Sequence, residues 1–364
     1  MKNKLYMIAA LVLWVACGPS AMAQKFLWDV DFKLDVDNKE WNDTRQDKTN
    51  TDMAVFLEPK VGLGFGKGHS VWLGGTFGRW LGKMTKEKYM AEALCFYQYD
   101  AHDVFVNAGI FPAGNRKGLY YPGLNDRAMM FDQVAEGALV RWSPKKSILE
   151  VYMDWTSMFE PKVRETFNLT SYGKYEHPAF PWVNIAYTYS MRHFGHSGRL
   201  EGVTDNIWIY PHIGLSAAEA TPLARLDLKL GWVNTFQNDR HTKEGYKCPG
   251  GFQMELGIEW KGLGLHDLFY YGEGLMPLYD VVSPDGETYG NRLYINNPFY
   301  SAPNGLYNRL EIYYHYQLNR MLQLEVSSVH HCDGPKWYWQ QFLTIHVSLD
   351  QDLFKKGKKA AKHD

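Results

Sequence analysis

The sequence predicts an all-β fold: a transmembrane antiparallel up-and-down β-barrel of about 16 strands (14–18). Three observations lead to this prediction. Apolar and polar residues alternate with a period of two over most of the chain. Aromatic residues make up 15% of the chain, although its mean hydropathy is only −0.39. Long and short connections between the predicted strands alternate, as they do in barrels that cross an outer membrane.

The first element is an N-terminal secretion signal, residues 1–23. Lys2 and Lys4 form its positive start, an apolar run follows, and residues 21–23 form a small-residue cleavage pattern. The apolar run is too short for a spanning helix, which needs about 20 residues. The chain is therefore expected to leave the cytoplasm.

The strands that follow each have one apolar and one polar face. In residues 225–232 every even position is apolar and every odd position is polar or glycine, and residues 252–261 repeat the alternation. Alternate residues of a strand face opposite sides of the sheet. A soluble sandwich also alternates. However, the predicted strands reach about 10–14 residues where globular strands average about 5–6, and their apolar faces often end in Trp or Tyr, as in an interfacial belt.

The strands occupy residues 24–354, and the basic tail, residues 355–364, is expected to lie in the periplasm. An even number of strands returns both termini to the periplasmic side, where the short turns belong. The expected location is the cell outer membrane, with its lipid as surroundings. Pro59 and Pro211 fall inside predicted strands, where a missing N–H indicates a bulge.

Composition and charge argue against other classes of protein. Without residues 1–23, which carry two bases and no acid, the formal net charge changes from −1 to −3, so nucleic acid is not an expected partner. The three remaining cysteines are too few and too scattered for a disulfide framework or a zinc site. Free thiols are expected at Cys95, Cys248 and Cys332, with a Cys248–Cys332 pair as the alternative.

The architecture resembles that of the porins, in its signal peptide, sixteen amphipathic strands, short turns and long outer loops. The resemblance covers the whole mature chain and implies that the third outer loop, residues 112–133, folds into the barrel and narrows the pore. An ordinary exposed loop is the alternative. The charged residues of this loop are the constriction candidates: Arg116, Lys117, Asp126, Arg127 and Asp132. The charged residues expected on the facing lumen wall are Lys60, Arg79 and Glu58.

The polar faces carry acids and bases without an excess of either, so no ion-selective ring is expected. Mutual neutralisation between neighbouring strands is the simpler interpretation. About eight strands fill their own interior, whereas sixteen leave an aqueous channel. We therefore expect a channel for passive diffusion of small hydrophilic solutes, with no cofactor, no metal and no enzymatic chemistry. The solute, the ion preference and the formation of a homo-oligomer are left open.

The first alternative is an outer-membrane lipid hydrolase. Some barrels of that kind carry a short His-x-Ser run. Here His196 and Ser197 are adjacent and lack the spacer, although Asp205 and Asn206 follow as possible orienting groups. A His/Ser/acid cluster within hydrogen-bonding reach at the rim would favour this alternative.

The second alternative is a surface receptor or adhesin. Its recognition element would be residues 276–305, the longest loop, which is rich in Tyr, Asn and Pro. A filled lumen would favour it over an open channel. A metal site at His330 and His331 is not expected, because adjacent residues of a regular strand point to opposite faces.

Overall fold

The computed structural model of the protein describes residues 25–41, 49–82, 89–118, 132–199, 201–301 and 305–352. The predicted signal peptide and basic tail lie outside these residues. Within the described residues, no helix is long and apolar enough to span a membrane.

Sixteen antiparallel strands close into one barrel, which confirms the predicted fold class and strand number. In chain order, β1 to β16 are Lys25–Glu40, Asn50–Phe65, His69–Trp80, Tyr89–Ala101, Val104–Pro112, Val134–Trp142, Ile148–Ser157, Thr166–Glu176, Val183–Phe194, Thr204–Ser216, Arg225–Asp239, Gly250–Trp260, Leu263–Gly272, Leu306–Gln317, Leu322–Asp333 and Lys336–Asp350. Each strand pairs with its neighbours in sequence, and β1 pairs with β16 from Asp29–Asp350 to Glu40–Trp339. The barrel is that of an outer-membrane protein.

The connections differ in length on the two sides of the barrel. The periplasmic turns are short: residues 66–68, 102–103, 143–147, 177–182, 217–224, 261–262 and 318–321. Most outer connections are longer, up to residues 273–305, which contain the one-turn helix α1 (Gly290–Leu293). The last outer connection, residues 334–335, is as tight as a periplasmic turn. β15 and β16 are therefore joined without an extended outer loop.

Side chains alternate between the lumen and the membrane along every strand. On β15, the lumenal residues Val329 and His331 are fully buried, whereas Ser328, His330 and Cys332 have the opposite parity and face outwards. The period-two pattern of the sequence therefore translates directly into two faces of one wall.

The two prolines do not produce the expected bulges. Pairing continues in the same register on both sides of Pro59 and of Pro211. Glycine on the facing strand makes this possible: a Cβ at Gly74 or Gly231 would lie 2.4 Å from the carbonyl oxygen of Pro59 or Pro211. Close approach of the two backbones thus replaces the bulge.

Candidate functional site

Of the three charged residues predicted to line the lumen wall, two face the lumen and one does not. Glu58 and Lys60 are on the lumenal face of β2, but they form an ion pair of 2.8 Å, and the Lys60 ammonium also lies 3.0 Å from Asp31 and 3.1 Å from Asp29. The Lys60 charge is therefore paired with acids of its own wall. Arg79 pairs with Val55 and shares the outward parity of Phe77, so it faces the membrane and not the lumen.

The third outer loop enters the lumen at its start. The backbone amides of Lys117 and Gly118 donate to the Glu150 carboxylate, which also accepts from Nε of Arg141 at 2.7 Å. The Arg116 guanidinium lies 4.6 Å from the centroid of the Tyr152 ring.

At the other end of this loop, burial raises the pKa of Asp132 to about 6; nearby Asp154 adds to the shift and Arg116 opposes it. Asp126 and Arg127 lie outside the described residues. The constriction role of this loop remains a prediction.

A second outer connection also enters the lumen. We call residues 273–305 the inner segment. Its apolar side chains pack against lumenal aromatic residues of the wall, such as Trp208 and Tyr270. The inner-segment members of this cluster are Leu275, Met276, Leu278, Tyr289, Leu293, Tyr294, Phe299 and Tyr300. The sequence predicts that residues 276–305 form either a recognition loop or a cover over the mouth of the barrel, because composition does not show whether a loop folds inwards.

Tyrosine hydroxyls attach the inner segment to the wall. Tyr289 donates to Asp239 (2.8 Å), Tyr294 to Gln237 (2.5 Å) and Tyr300 to Gln253 (2.6 Å). Phe299 stacks on His331 of β15, with ring centroids 4.4 Å apart. The inner segment therefore lines the outer half of the lumen along β11 to β15.

An ionic cluster holds the inner segment to the neighbouring outer loops. Asp285 accepts hydrogen bonds from Arg164 (3.2 Å) and from Arg292. Arg164 also donates to the carbonyl oxygens of Gly195 and Gly202. Burial disfavours ionisation of Asp285, but the hydrogen bonds from Arg292, Ser283 and Arg164 hold its pKa well below its usual range.

The outward face carries a second, unexpected group of polar residues. Asn308 of β14 donates to the Asp267 carboxylate of β13 at 2.8 Å. Asn308 pairs with Cys332, and Ser328 pairs with Gln341 of β16.

This group of outward polar side chains continues across the junction between β1 and β16. Asn38 of β1 donates to Gln341, and Thr51 of β2 donates to Asn38, both at 2.6 Å. We call these side chains the outward polar belt: Thr51, Asn38, Gln341, Ser328, His330, Cys332, Asn308 and Asp267.

The outward polar belt lies near the outer ends of its strands, where His330 pairs with Trp339 and Cys332 with Trp337. A carboxylate and an imidazole on the outward face are costly, and polar residues inside a membrane are by default candidates for function. Trp337 and Trp339 flank the belt on β16, where aromatic residues usually mark the membrane interface.

Ser328 and His330 form the reactive pair of this belt. Their Oγ and Nε2 atoms are 3.2 Å apart, so the hydroxyl donates whenever Nε2 is unprotonated. The His330 ring stacks on Trp337, with centroids 5.5 Å apart and planes 14° apart, which fixes its orientation. A hydroxyl next to an oriented imidazole is the arrangement that activates a nucleophile.

The residues that the sequence offered for hydrolysis are arranged differently. Ser197 donates to the Pro161 carbonyl at 3.3 Å, and His196 packs edge-on against Phe159. Asp205 is on the outward face in an ion pair with Arg240. Asn206 faces the lumen, where it donates to the Leu293 carbonyl.

Sequence reasoning missed the Ser328–His330 pair, although a signal was present. Residues two apart on a strand share a face, and Ser328, His330 and Cys332 have that spacing. His330 and Cys332 even reproduce the His-x-Ser spacing with a thiol in place of the hydroxyl.

The family comparison covers nearly the whole chain. The profile of the family described as "Lipid A 3'-O-deacylase-type" matches residues 21–356. This is an enzyme family, so the expectation that the chain has no enzymatic chemistry is wrong. In a barrel, the period-two pattern assigns polar residues to the lumen, so it gives no signal for reactive groups on the outward face. The comparison with curated proteins finds no significant match.

Solved structures share the architecture. The barrel is similar to Pseudomonas aeruginosa OccK5 (OpdH), with a TM-score of 0.52 and 11% identity over 90% of this chain and 98% of that chain. It is similar to a variant of OccD1 (OprD), with a TM-score of 0.51 and 10% identity over 91% of this chain and 97% of that one. At these identities the similarity concerns the fold, and it confirms the porin-like architecture.

Proposed function

Because the chain belongs to the lipid A 3'-O-deacylase-type family, we propose that it is an outer-membrane ester hydrolase that removes an acyl chain from lipid A. The observation that carries the proposal is the Ser328–His330 pair on the outward face. Ester groups of a membrane lipid lie between its head and its acyl chains. The interfacial Trp337 and Trp339 beside the pair indicate that depth.

The chemistry follows from the pair. His330 Nε2 accepts the Ser328 proton while Oγ attacks the ester carbonyl, and the sugar alcohol leaves with the proton that His330 returns. Water then attacks the acyl-Ser328 ester, again with His330 as the base, and the fatty acid is released. General base catalysis of this kind contributes about 10²–10⁴-fold to the rate.

Two side-chain amides of the belt, Asn308 and Gln341, position the lipid head. Asp267 holds the Asn308 amide, and Asn38 holds the Gln341 amide, so both amides are fixed on either side of the reactive pair. The Asn308 amide donates to Asp267 and to the Leu268 carbonyl oxygen, so its own oxygen is left to accept from a sugar hydroxyl. The Gln341 amide accepts from Asn38 and presents its NH2 group as the donor.

The test measures fatty acid released from purified lipid A by the refolded protein in detergent, using mass spectrometry. Ser328→Ala is expected to lower the rate at least about a hundredfold, and Cys332→Ala, the matched outward neighbour, to leave it within about twofold. The reverse pattern would make Cys332 the nucleophile. A wild-type barrel that folds and releases no acyl chain would overturn the proposal.

Passage of small hydrophilic solutes is a second candidate function. The sixteen-strand count favours it, whereas the inner segment narrows the outer half of the lumen. Single-channel conductance in a planar bilayer tests it. Small or absent steps that become large when residues 276–301 are replaced by a short linker would support a channel closed by the inner segment. Silence in both proteins would exclude solute passage.

A further inference from the structure

A groove of about 390 Å³ opens on the outward face of β1 to β4. Its outward-facing lining is mainly apolar: Phe32, Val55, Leu57, Phe77, Tyr89 and Ala91. Phe32, Leu57, Phe77 and Ala91 stand opposite one another in register across the four strands. The groove is thus part of the lipid-facing wall and is separate from the lumen.

Ala91 is the small outward side chain that lines the groove, between the larger Phe77 and Tyr89. The outward face of β4 has Ala91 and Ala93, and Gly75 stands opposite Ala93 on β3. Next to them the Phe77 side chain projects, with 51% of its surface exposed. The Phe77 ring lies over Gly75, where an added Cβ would be 3.2 Å from its Cζ, so the open part of the groove lies around Ala91. The volume and apolar lining of this part suit an acyl chain.

Arg79 lies at the outer end of this groove. Its guanidinium lies 5.4 Å from the centroid of the Tyr89 ring, and no carboxylate of the described residues is within ion-pair distance of it. A guanidinium at the membrane surface matches a phosphate group well, because its donors can pair with two phosphate oxygens.

The groove and the reactive pair are connected by the outward polar belt. Around the barrel wall, β15 is the fourth strand from β3, which corresponds to a distance of about 19 Å. Thr51, Asn38 and Gln341 fill the interval with hydrogen-bonding groups. A head group that bridges the interval would need many hydroxyl or amide groups, as a sugar head has.

We propose that the groove and Arg79 form a binding site for a phosphorylated glycolipid of the outer leaflet. One acyl chain lies in the groove, and a phosphate pairs with Arg79. That this lipid is also the substrate rests on the proposed hydrolysis; its binding at the groove does not.

The test therefore uses the Ser328→Ala protein, in which bound lipid is not consumed. Binding of diphosphoryl hexa-acyl lipid A to the detergent-solubilised barrel is measured by native mass spectrometry. Arg79→Gln is expected to weaken binding about tenfold, since a charge-assisted hydrogen bond contributes about 1.5–3 kcal/mol. The matched control is Arg320→Gln, which removes an exposed cation beside Asp350 at the periplasmic end and should change binding less than twofold.

A second pair of variants tests the groove itself. Ala91→Phe fills the groove and should weaken binding to a similar degree, whereas Ala138→Phe, an outward alanine on β6, should not. Unchanged binding in both Arg79→Gln and Ala91→Phe overturns the proposal. So does equal binding of dephosphorylated lipid A or of phosphatidylglycerol.

The two proposals can fail separately. Binding that depends on Arg79 in a wild-type barrel that releases no fatty acid would reject the hydrolysis and keep the lipid site. Fatty-acid release with binding indifferent to Arg79 and Ala91 would do the opposite.

Discussion

The two faces of the barrel wall hold their polar residues in different surroundings. On the lumenal face, charges neutralise one another: Lys60 contacts three carboxylates, and Arg141 pairs with Glu150. On the outward face, Asp267 and His330 sit in a surface that lipid covers. Polar groups are common in a lumen and costly against lipid. The number of charged residues is therefore a poor guide to function here, and their location relative to the membrane is a better one.

The largest expected effect comes from comparing two histidines, one on each face of the barrel wall. His330→Ala should lower fatty-acid release from lipid A about 10²–10⁴-fold, because it removes the base. His315→Ala removes a lumenal imidazole that lies 3.8 Å from Glu259 and should leave the rate within about twofold. Release rates from both refolded variants decide this. Equal losses would mean that the outward face has no special role.

The next largest expected effect is on the free energy of unfolding, at the ionic cluster of the inner segment. Asp285→Ala leaves Arg164 buried without its carboxylate, which costs about 3 kcal/mol in comparable pairs. We expect a matching fall in the free energy of unfolding. The control is Glu244→Ala, which breaks the exposed pair with Lys247 and should cost less than about 1 kcal/mol. Equal costs would mean that the buried cluster stabilises no more than a surface pair.

The pH dependence of this cluster has a definite sign. The pKa of Asp285 is lowered, so its contribution to stability is present above the usual Asp range and is lost only as the pH falls through the lowered value. Docking of the inner segment should therefore not change between pH 7 and pH 5. Limited proteolysis of residues 273–305 across that range provides the measurement. Cleavage that increases by pH 5 would contradict it.

A smaller effect of pH on stability, with the opposite sign, is expected at Asp132. Its pKa is raised to about 6, so the folded protein gains stability as the pH falls from 7 to 5. The gain should be about 1 kcal/mol and should disappear in Asp132→Asn. Denaturant unfolding of both proteins at the two pH values measures it. An identical pH response of the two proteins would show that Asp132 is not the group responsible.

The smallest expected effect lies at the edge of the outward polar belt. Thr51→Val removes an exposed hydrogen bond to Asn38 and should cost about 0.5 kcal/mol or less. Fatty-acid release should stay within twofold, since Thr51 is three strands away from Ser328. A large loss of activity would show that the whole row of side chains acts as one unit.

Most of the fold could be predicted from the sequence. Alternation fixes which residues share a face, and the predicted eighth strand, residues 164–175, is observed as Thr166–Glu176. The assignment of a residue to one face is also sensitive to error, because a shift of one residue moves its side chain to the other face. Arg79 is an example of such an error.

The candidate site was less predictable for two physical reasons. The inner segment has no repeating pattern, so its inward course depends on contacts with wall residues distant in sequence, such as Gln237 and Gln253. The outward polar belt joins residues from six strands, and Asn38 and Gln341 are 303 positions apart. No local motif contains such a row.

The hydrogen bond between Asn38 and Gln341 crosses the seam where the first strand meets the last. A chain that has inserted only its final strands already carries Ser328 and His330 side by side. It lacks Asn38 and the groove of β1 to β4, which arrive at the other side of the belt only when the barrel closes. The complete lipid-facing surface therefore exists only in a finished barrel, and a half-assembled chain in the membrane would hold the reactive pair without the surface that we propose presents a lipid to it.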